Sequence, residues 1–170
     1  MRAAIVAFAV LTLAAPAAAA PAAPAVNVKL LDGGEPFDSR NLLGKKALVL
    51  RFQASWCKVC AAEADGLERV YQAYRDRDVE FLAVHIQDTE ADARRFLTEH
   101  HATYPAGLDP RLRIANRFGF RGTPYTVVVD RRGEMVARIH GSADETRITR
   151  TLDAVLKPKP ARKPPPKRLQ

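Results

Sequence analysis

The only two cysteines of this 170-residue chain stand in the stretch Trp56-Cys57-Lys58-Val59-Cys60. Two sulfurs at this spacing can close on one another, exchange with a foreign disulfide, or supply half of a metal site. A zinc site needs two further ligands, and His85, His100, His101 and His140 form neither a His-x3-His nor a second Cys-x-x-Cys pattern. A static disulfide would close so short a loop that it would add little stability. Inert structural thiols are poorly matched to a tryptophan-led pair at a helix start. Thiol–disulfide exchange is therefore the expected chemistry.

Such a pair has to be held by the elements around it. Ala47 to Phe52 is a continuous apolar run and reads as a central strand. After the cysteines, Cys60, Glu63, Leu67, Val70/Tyr71 and Tyr74 recur at helical spacing, with Gly66 expected to weaken or kink that helix. Both sulfurs thus fall at a strand-to-helix junction, where a helix N-terminus stabilises a thiolate. Val79 to Ile86 predicts a second buried strand, followed by a helix over Thr89 to His100 capped by Thr89 or Asp88.

Tyr104-Pro105 breaks the chain before a short helix expected from about Asp109 to Arg117. Tyr125 to Asp130 and Glu134 to Ile139 flank Arg131-Arg132-Gly133 as an antiparallel hairpin, and Ala143 to Leu156 carries a last apolar helix face. Upstream, Val28 to Leu31 stops at Asp32-Gly33-Gly34 and predicts an edge strand or hairpin arm. The order β-β-α-β-α-α-β-β-α implies an α/β sandwich, one sheet between helices.

The ends differ from the body. Arg2, the apolar run Ala3 to Ala15 and the small residues Pro16 to Ala20 read as a cleavable signal peptide over residues 1–20, with a cut after Ala19 meeting the A-x-A rule. The alternative, an uncleaved membrane anchor, would need a longer apolar stretch. No cysteine follows that would carry a lipid. Export to an oxidising compartment, a bacterial periplasm, is expected.

Residues 21–26 form a Pro/Ala lead, residues 27–156 one domain, and residues 157–170 a basic, proline-rich tail expected to be extended and disordered. Without Arg2 and the six basic residues of that tail, 20 basic residues face 19 acidic ones, so the formal charge of +8 describes the ends. The body therefore offers no general basic face for nucleic acid, and a monomer is expected.

Four motifs give the chain a family resemblance. Phe52-Gln53-Ala54-Ser55-Trp56-Cys57-Lys58-Val59-Cys60 resembles the F-W-A-S-W-C-x-x-C of the exported TlpA/ResA-like branch of the thioredoxin superfamily. Glu63 stands where that branch often has a glutamate, Gly122-Thr123-Pro124 resembles its cis-proline loop, and Asp130 to Gly133 its hairpin turn. The resemblance implies a thioredoxin-like three-layer sandwich with a mixed central sheet and an N-terminal β extension. It also implies a redox-active disulfide and no other cofactor, protein thiols or disulfides as substrates, and a membrane electron donor that recharges a reductant.

The chain departs from that pattern at Gln53, which replaces an aromatic residue, and at the Lys58-Val59 spacer. Arg51 stands where cytoplasmic thioredoxins carry a buried acid. No Pro-Glu of the dedicated cytochrome c maturation members follows Gly122-Thr123.

In the exchange reaction Cys57, at the helix start, is the expected nucleophile, and Cys60, a turn further in, the resolving thiol. Lys58 adds positive charge that favours the Cys57 thiolate, unless it is an ordinary exposed lysine. Glu63 is expected partly buried behind Cys60, where burial favours a neutral carboxyl able to exchange a proton, or else as a surface glutamate in the first turn. The resemblance assigns substrate docking to the Thr123 backbone beside Pro124, while Trp56 either shields the disulfide and contacts substrates or is mainly a structural ring. His85 is expected to be structural. An oxidant, or a non-enzymatic Cu(I)-binding thiol module, is the alternative reading, although only Met135 remains as a methionine after the signal. A peroxidase is disfavoured because no Thr-x-x-Cys precedes the pair.

Overall fold

The computed structural model of the chain describes residues 20–157. The expected signal peptide, except Ala20, and the expected basic tail, except Lys157, lie outside the described residues. Strand β3 (Ala47–Gln53) is buried at every position, as its apolar run requires, and forms the middle of a five-stranded sheet. On one side it pairs in parallel with β4 (Val79–Ile86), which pairs in parallel with β5 (Ala106–Asp109). On the other side it pairs antiparallel with β6 (Tyr125–Val129), which turns back into β7 (Met135–His140). The sheet order is β5-β4-β3-β6-β7.

The helices are α1 (Lys58–Tyr74), α2 (Glu90–Glu99), α3 (Arg113–Arg117) and α4 (Glu145–Leu156). Leu67, Val70 and Tyr74 of α1 join Ile148 and Leu152 of α4 in one apolar layer over Val49, Phe81 and Val128. Leu50, Phe52, Leu82, Val84 and Val127 point to the opposite layer, where Ile114, Ala115 and Phe118 pack. This is the thioredoxin-like α/β sandwich with its mixed central sheet, and the small N-terminal hairpin is β1 (Asn27–Val28) with β2 (Phe37–Asp38).

Several expectations need correction. The strand expected over Val28 to Leu31 shortens to β1, while Leu30 bridges Gly107 and the Leu31 N–H donates to the Ala106 carbonyl. The chain crosses there from the hairpin to the sheet. Strand β5 occupies residues given to a break and a helix start, because parallel pairing with β4 overrides their weak strand propensity.

The helix expected from Asp109 begins only at Arg113. Asp109 ends the strand, and its carboxylate accepts from the backbone N–H groups of Arg113, Ile114 and Ala115. Helix α1 runs through Gly66 without interruption; a Cβ there would lie 3.7 Å from Cβ of Glu145, so the glycine sits where α4 begins. The Pro/Ala lead joins the fold: Ala23 donates to the Gly133 carbonyl, Met135 to the Pro21 carbonyl, and Val26 is fully buried.

Candidate redox site

Strands β3, β4 and β5 are parallel, so their carboxyl ends meet at one edge of the sheet, and β6 starts there because Phe52 is paired with Tyr125. The cysteine pair follows β3 at this edge. The backbone N–H of Cys57 donates to the Ala54 carbonyl at 3.1 Å, a turn that brings the chain back into α1. Cys57 is the N-cap of α1, and its Sγ accepts from the Cys60 N–H at 3.1 Å. The two sulfurs are joined as a disulfide, with Cα atoms 5.2 Å apart.

Cys57 is 6 % exposed and Cys60 1 %, so a reaction partner meets Cys57 first. A helix N-terminus that directs an N–H at this sulfur favours its thiolate once the disulfide opens. Trp56 and Val59, before and after Cys57 in the chain, are 57 % and 45 % exposed, and Lys58 is exposed between Cys57 and Val59. Just before β6 the Thr123–Pro124 peptide is cis, Thr123 is half-buried, and the Pro124 carbonyl accepts from the Gly141 N–H.

Glu63 is partly buried, one turn past Cys60. Its Oε2 accepts from Arg51 Nη2 at 2.6 Å, and its Oε1 accepts from the Ala143 N–H at 2.9 Å and from the Ser142 hydroxyl. Arg51 also donates to the Thr126 hydroxyl at 2.9 Å. The arginine that replaces the strand acid of cytoplasmic thioredoxins thus meets the glutamate of α1. Among the described residues no hydrogen bond joins Glu63 to either sulfur.

A second polar chain lies on the same face of the sheet. Gln53 donates to His85 Nε2 at 2.9 Å, and His85 Nδ1–H donates to Asp88 at 2.9 Å; these partners select the Nδ1–H tautomer. Asp88 also accepts from the Ser55 N–H and the Ser55 hydroxyl, both at 2.8 Å. Burial pushes the Asp88 carboxyl up, but the hydrogen bonds from His85 and Ser55 outweigh it and hold the group below the ordinary carboxylate range. Ser55 lies two residues before Cys57, so these hydrogen bonds fix the loop that presents Cys57. Nearby, Tyr104 is buried with its hydroxyl unpartnered, as is Arg51 Nε, and burial pushes the Tyr104 phenol up to about 12.

The structure brings Cys57, Cys60, Trp56, Lys58, Thr123 and Pro124 to one edge and places Glu63 behind them, in an ion pair. From the sequence, Gln53, Ser55 and Asp88 carry no site role, Asp88 is a candidate helix cap, and His85 is structural. Thr89 is the cap of α2. The available signal was the period of two: Arg51 and Gln53 are polar at alternate positions of an otherwise apolar strand and so share one buried face.

Comparisons with known proteins agree with this geometry. Residues 19–138 match the AhpC/TSA family. The chain is 34 % identical over 135 residues to the thiol:disulfide interchange protein HelX of Rhodobacter capsulatus, covering 79 % of this chain and 74 % of that protein. It is 29 % identical over 132 residues to the thiol-disulfide oxidoreductase ResA of Halalkalibacterium halodurans, covering 77 % and 74 %. The crystal structure of a thioredoxin-family thiol:disulfide interchange protein from Chlorobium tepidum TLS superposes with a TM-score of 0.74 at 23 % identity, covering 82 % of this chain and 99 % of that one, a likeness of fold. With its Cys57–Cys60 pair at the start of α1, the chain belongs to the AhpC/TSA family and, within it, to the thioredoxin-fold thiol–disulfide oxidoreductases related to ResA and HelX.

Proposed function

We propose that this oxidoreductase works in the periplasm as a reductant of protein disulfides, with Cys57 as nucleophile and Cys60 as resolving thiol. The observation that carries the roles is the asymmetry of the pair, in which Cys57 is the more exposed sulfur and caps α1. The Cys57 thiolate attacks one sulfur of a substrate disulfide; that S–S bond breaks, a mixed disulfide forms, and the first substrate thiolate leaves and takes a proton. Cys60, deprotonated, then attacks Cys57 Sγ and expels the second substrate thiolate. The substrate gains two electrons and the protein ends as the Cys57–Cys60 disulfide. A membrane electron donor then reduces that disulfide for another cycle.

Lys58 supports the Cys57 thiolate. Glu63, paired with Arg51 one turn past Cys60, is the carboxylate that would exchange a proton with the resolving thiol once the pair opens. The Thr123 backbone and Pro124 border the substrate strand, and Trp56 covers it from the other side. Export is supported by the leader-like residues 1–20.

One observation favours the opposite direction. The Cys60 N–H, the helix terminus and Lys58 all stabilise a Cys57 thiolate, and a stabilised reduced form makes a more oxidising couple. Fluorescence of Trp56, the single tryptophan, across a glutathione redox series decides between the two. A reductant has a potential more negative than the cytosolic glutathione poise of about −220 to −260 mV. A value at or above that range overturns the reductant reading in favour of an oxidant.

A further inference from the structure

The segment from Pro110 to Pro124 carries Arg111, Arg113, Arg117 and Arg121 and no acidic residue. All four arginines are exposed, and among the described residues none joins a salt bridge. Elsewhere on the surface arginines are commonly neutralised, as in Arg69–Glu145, Arg94–Glu90 and Arg132–Glu134. Two acids that close the strands at this edge are buried and already engaged: Asp109 takes the first N–H groups of α3, and Asp88 takes Ser55 and His85. The four positive charges are gathered in one segment without a salt-bridge partner, while the rest of the body carries 16 basic against 19 acidic residues.

Its position is set by topology. The segment leaves the carboxyl end of β5 and returns to the start of β6, so both its ends lie at the sheet edge that carries the disulfide. Between them, Phe118 and Phe120 pack on Phe52 with ring centroids 5.7 and 6.1 Å apart, and Ile114 and Ala115 share an apolar cluster with Cys57 and Cys60. Trp56 and Val59 are exposed next to Cys57, with Lys58 between Cys57 and Val59 in the chain, and the arginine-bearing segment starts and ends at the same edge of the sheet.

We propose that this edge docks a partner protein through an acidic stretch beside the partner's reactive cysteine, with Trp56 and Val59 as the apolar centre and Arg113, Arg117 and Arg121 as the charged rim. Rim charges of this kind steer encounter and set register more than they add affinity. An anionic lipid surface would also be attracted, but the exposed tryptophan and valine beside a reactive sulfur fit a protein carrying the complementary thiol chemistry. The proposal rests on the reading that the pair exchanges with protein disulfides.

The test uses two synthetic peptides, each closed by one disulfide and differing only in glutamate or lysine flanks, with neutral 2-hydroxyethyl disulfide as a reference substrate. The reduced protein should open the acidic peptide on the order of 10-fold faster than the basic one at low salt. The preference should vanish between ~0.01 M and ~1 M salt, as the Debye length falls from about 30 Å to about 3 Å. Arg113→Glu/Arg117→Glu/Arg121→Glu should reverse the preference, the same positions changed to lysine should keep it, and exchange with the neutral disulfide should stay constant in both.

Equal rates on the two peptides, or a preference insensitive to salt, with neutral exchange intact, would overturn the docking proposal alone. Failure of the unaltered protein to exchange with the neutral disulfide would overturn the redox reading and the docking with it. Charge-dependent sedimentation with phosphatidylglycerol vesicles, without any peptide preference, would assign the rim to a lipid surface and overturn the protein partner.

Discussion

Arg51 of the central strand and Glu63 of the cysteine-bearing helix form a buried ion pair, 2.6 Å between Nη2 and Oε2. It ties α1 to β3 behind Cys60, and Ser142 and Ala143 extend it to the loop before α4. Removing one partner strands the other charge away from water, which costs about 3–5 kcal/mol, whereas replacing both with apolar residues is often close to neutral. Glu63→Gln should therefore destabilise the oxidised protein by about that amount in urea unfolding, and Arg51→Met/Glu63→Leu should recover most of the loss. Additive losses in the double variant would show that the two side chains act separately. If Glu63 also serves the resolving thiol, Glu63→Gln should flatten the pH dependence of mixed-disulfide resolution in stopped-flow traces.

Asp88 anchors the loop ahead of Cys57 through two hydrogen bonds to Ser55. Asp88→Asn leaves part of this set unmade and should cost about 1–3 kcal/mol at pH 7. The pH dependence has a definite sign. The folded carboxyl is held below its unfolded value of about 3.9, so its contribution is complete above that pH and is lost as the pH falls through the lower folded value. The stability gap between the unaltered protein and Asp88→Asn should stay constant from about pH 7 to pH 5 and shrink below about pH 4. A gap that widened in acid would contradict this.

Gly107 lies under the N-terminal crossing. A Cβ at this position would fall 2.7 Å from Val28 Cγ2 and 3.0 Å from the Lys29 carbonyl oxygen. Gly107→Ala should therefore lower stability by about 1–3 kcal/mol, the usual cost of overpacking, and loosen protease resistance around residues 28–31. An unchanged unfolding midpoint would show that the crossing yields without penalty.

Strands marked by local composition were legible in the sequence, and strands made by register were not. Ala47 to Phe52 and Val79 to Ile86 are predominantly apolar runs, and both form the buried strands expected; that they pair in parallel comes from the structure. Ala106 to Asp109 carries a glycine, follows a proline and ends in an acid, so nothing local marks it as a strand; only its register with β4 makes it one. The cysteine pair and its strand-to-helix setting were legible because residue type and spacing define them. The partnership of Arg51 with Glu63, and of Asp88 with Ser55, depends on how helix and loop settle on the sheet, over 12 and 33 residues of separation.

Lys58 stands next to Cys57 and is exposed. Lys58→Ala should remove positive charge from the thiolate and shift the pH–rate profile for iodoacetamide alkylation of reduced Cys57 towards higher pH, with unfolding stability nearly unchanged. An unmoved profile would identify Lys58 as an ordinary surface residue.

The division of labour between the two sulfurs is tested most directly by trapping a mixed disulfide with a defined peptide disulfide. The Cys60→Ser protein should accumulate a one-to-one adduct that mass spectrometry locates on Cys57, while Cys57→Ser should accumulate little, because Cys60 is shielded behind it. An adduct on Cys60 in the Cys57→Ser protein, formed as readily as the Cys57 adduct, would contradict the assignment.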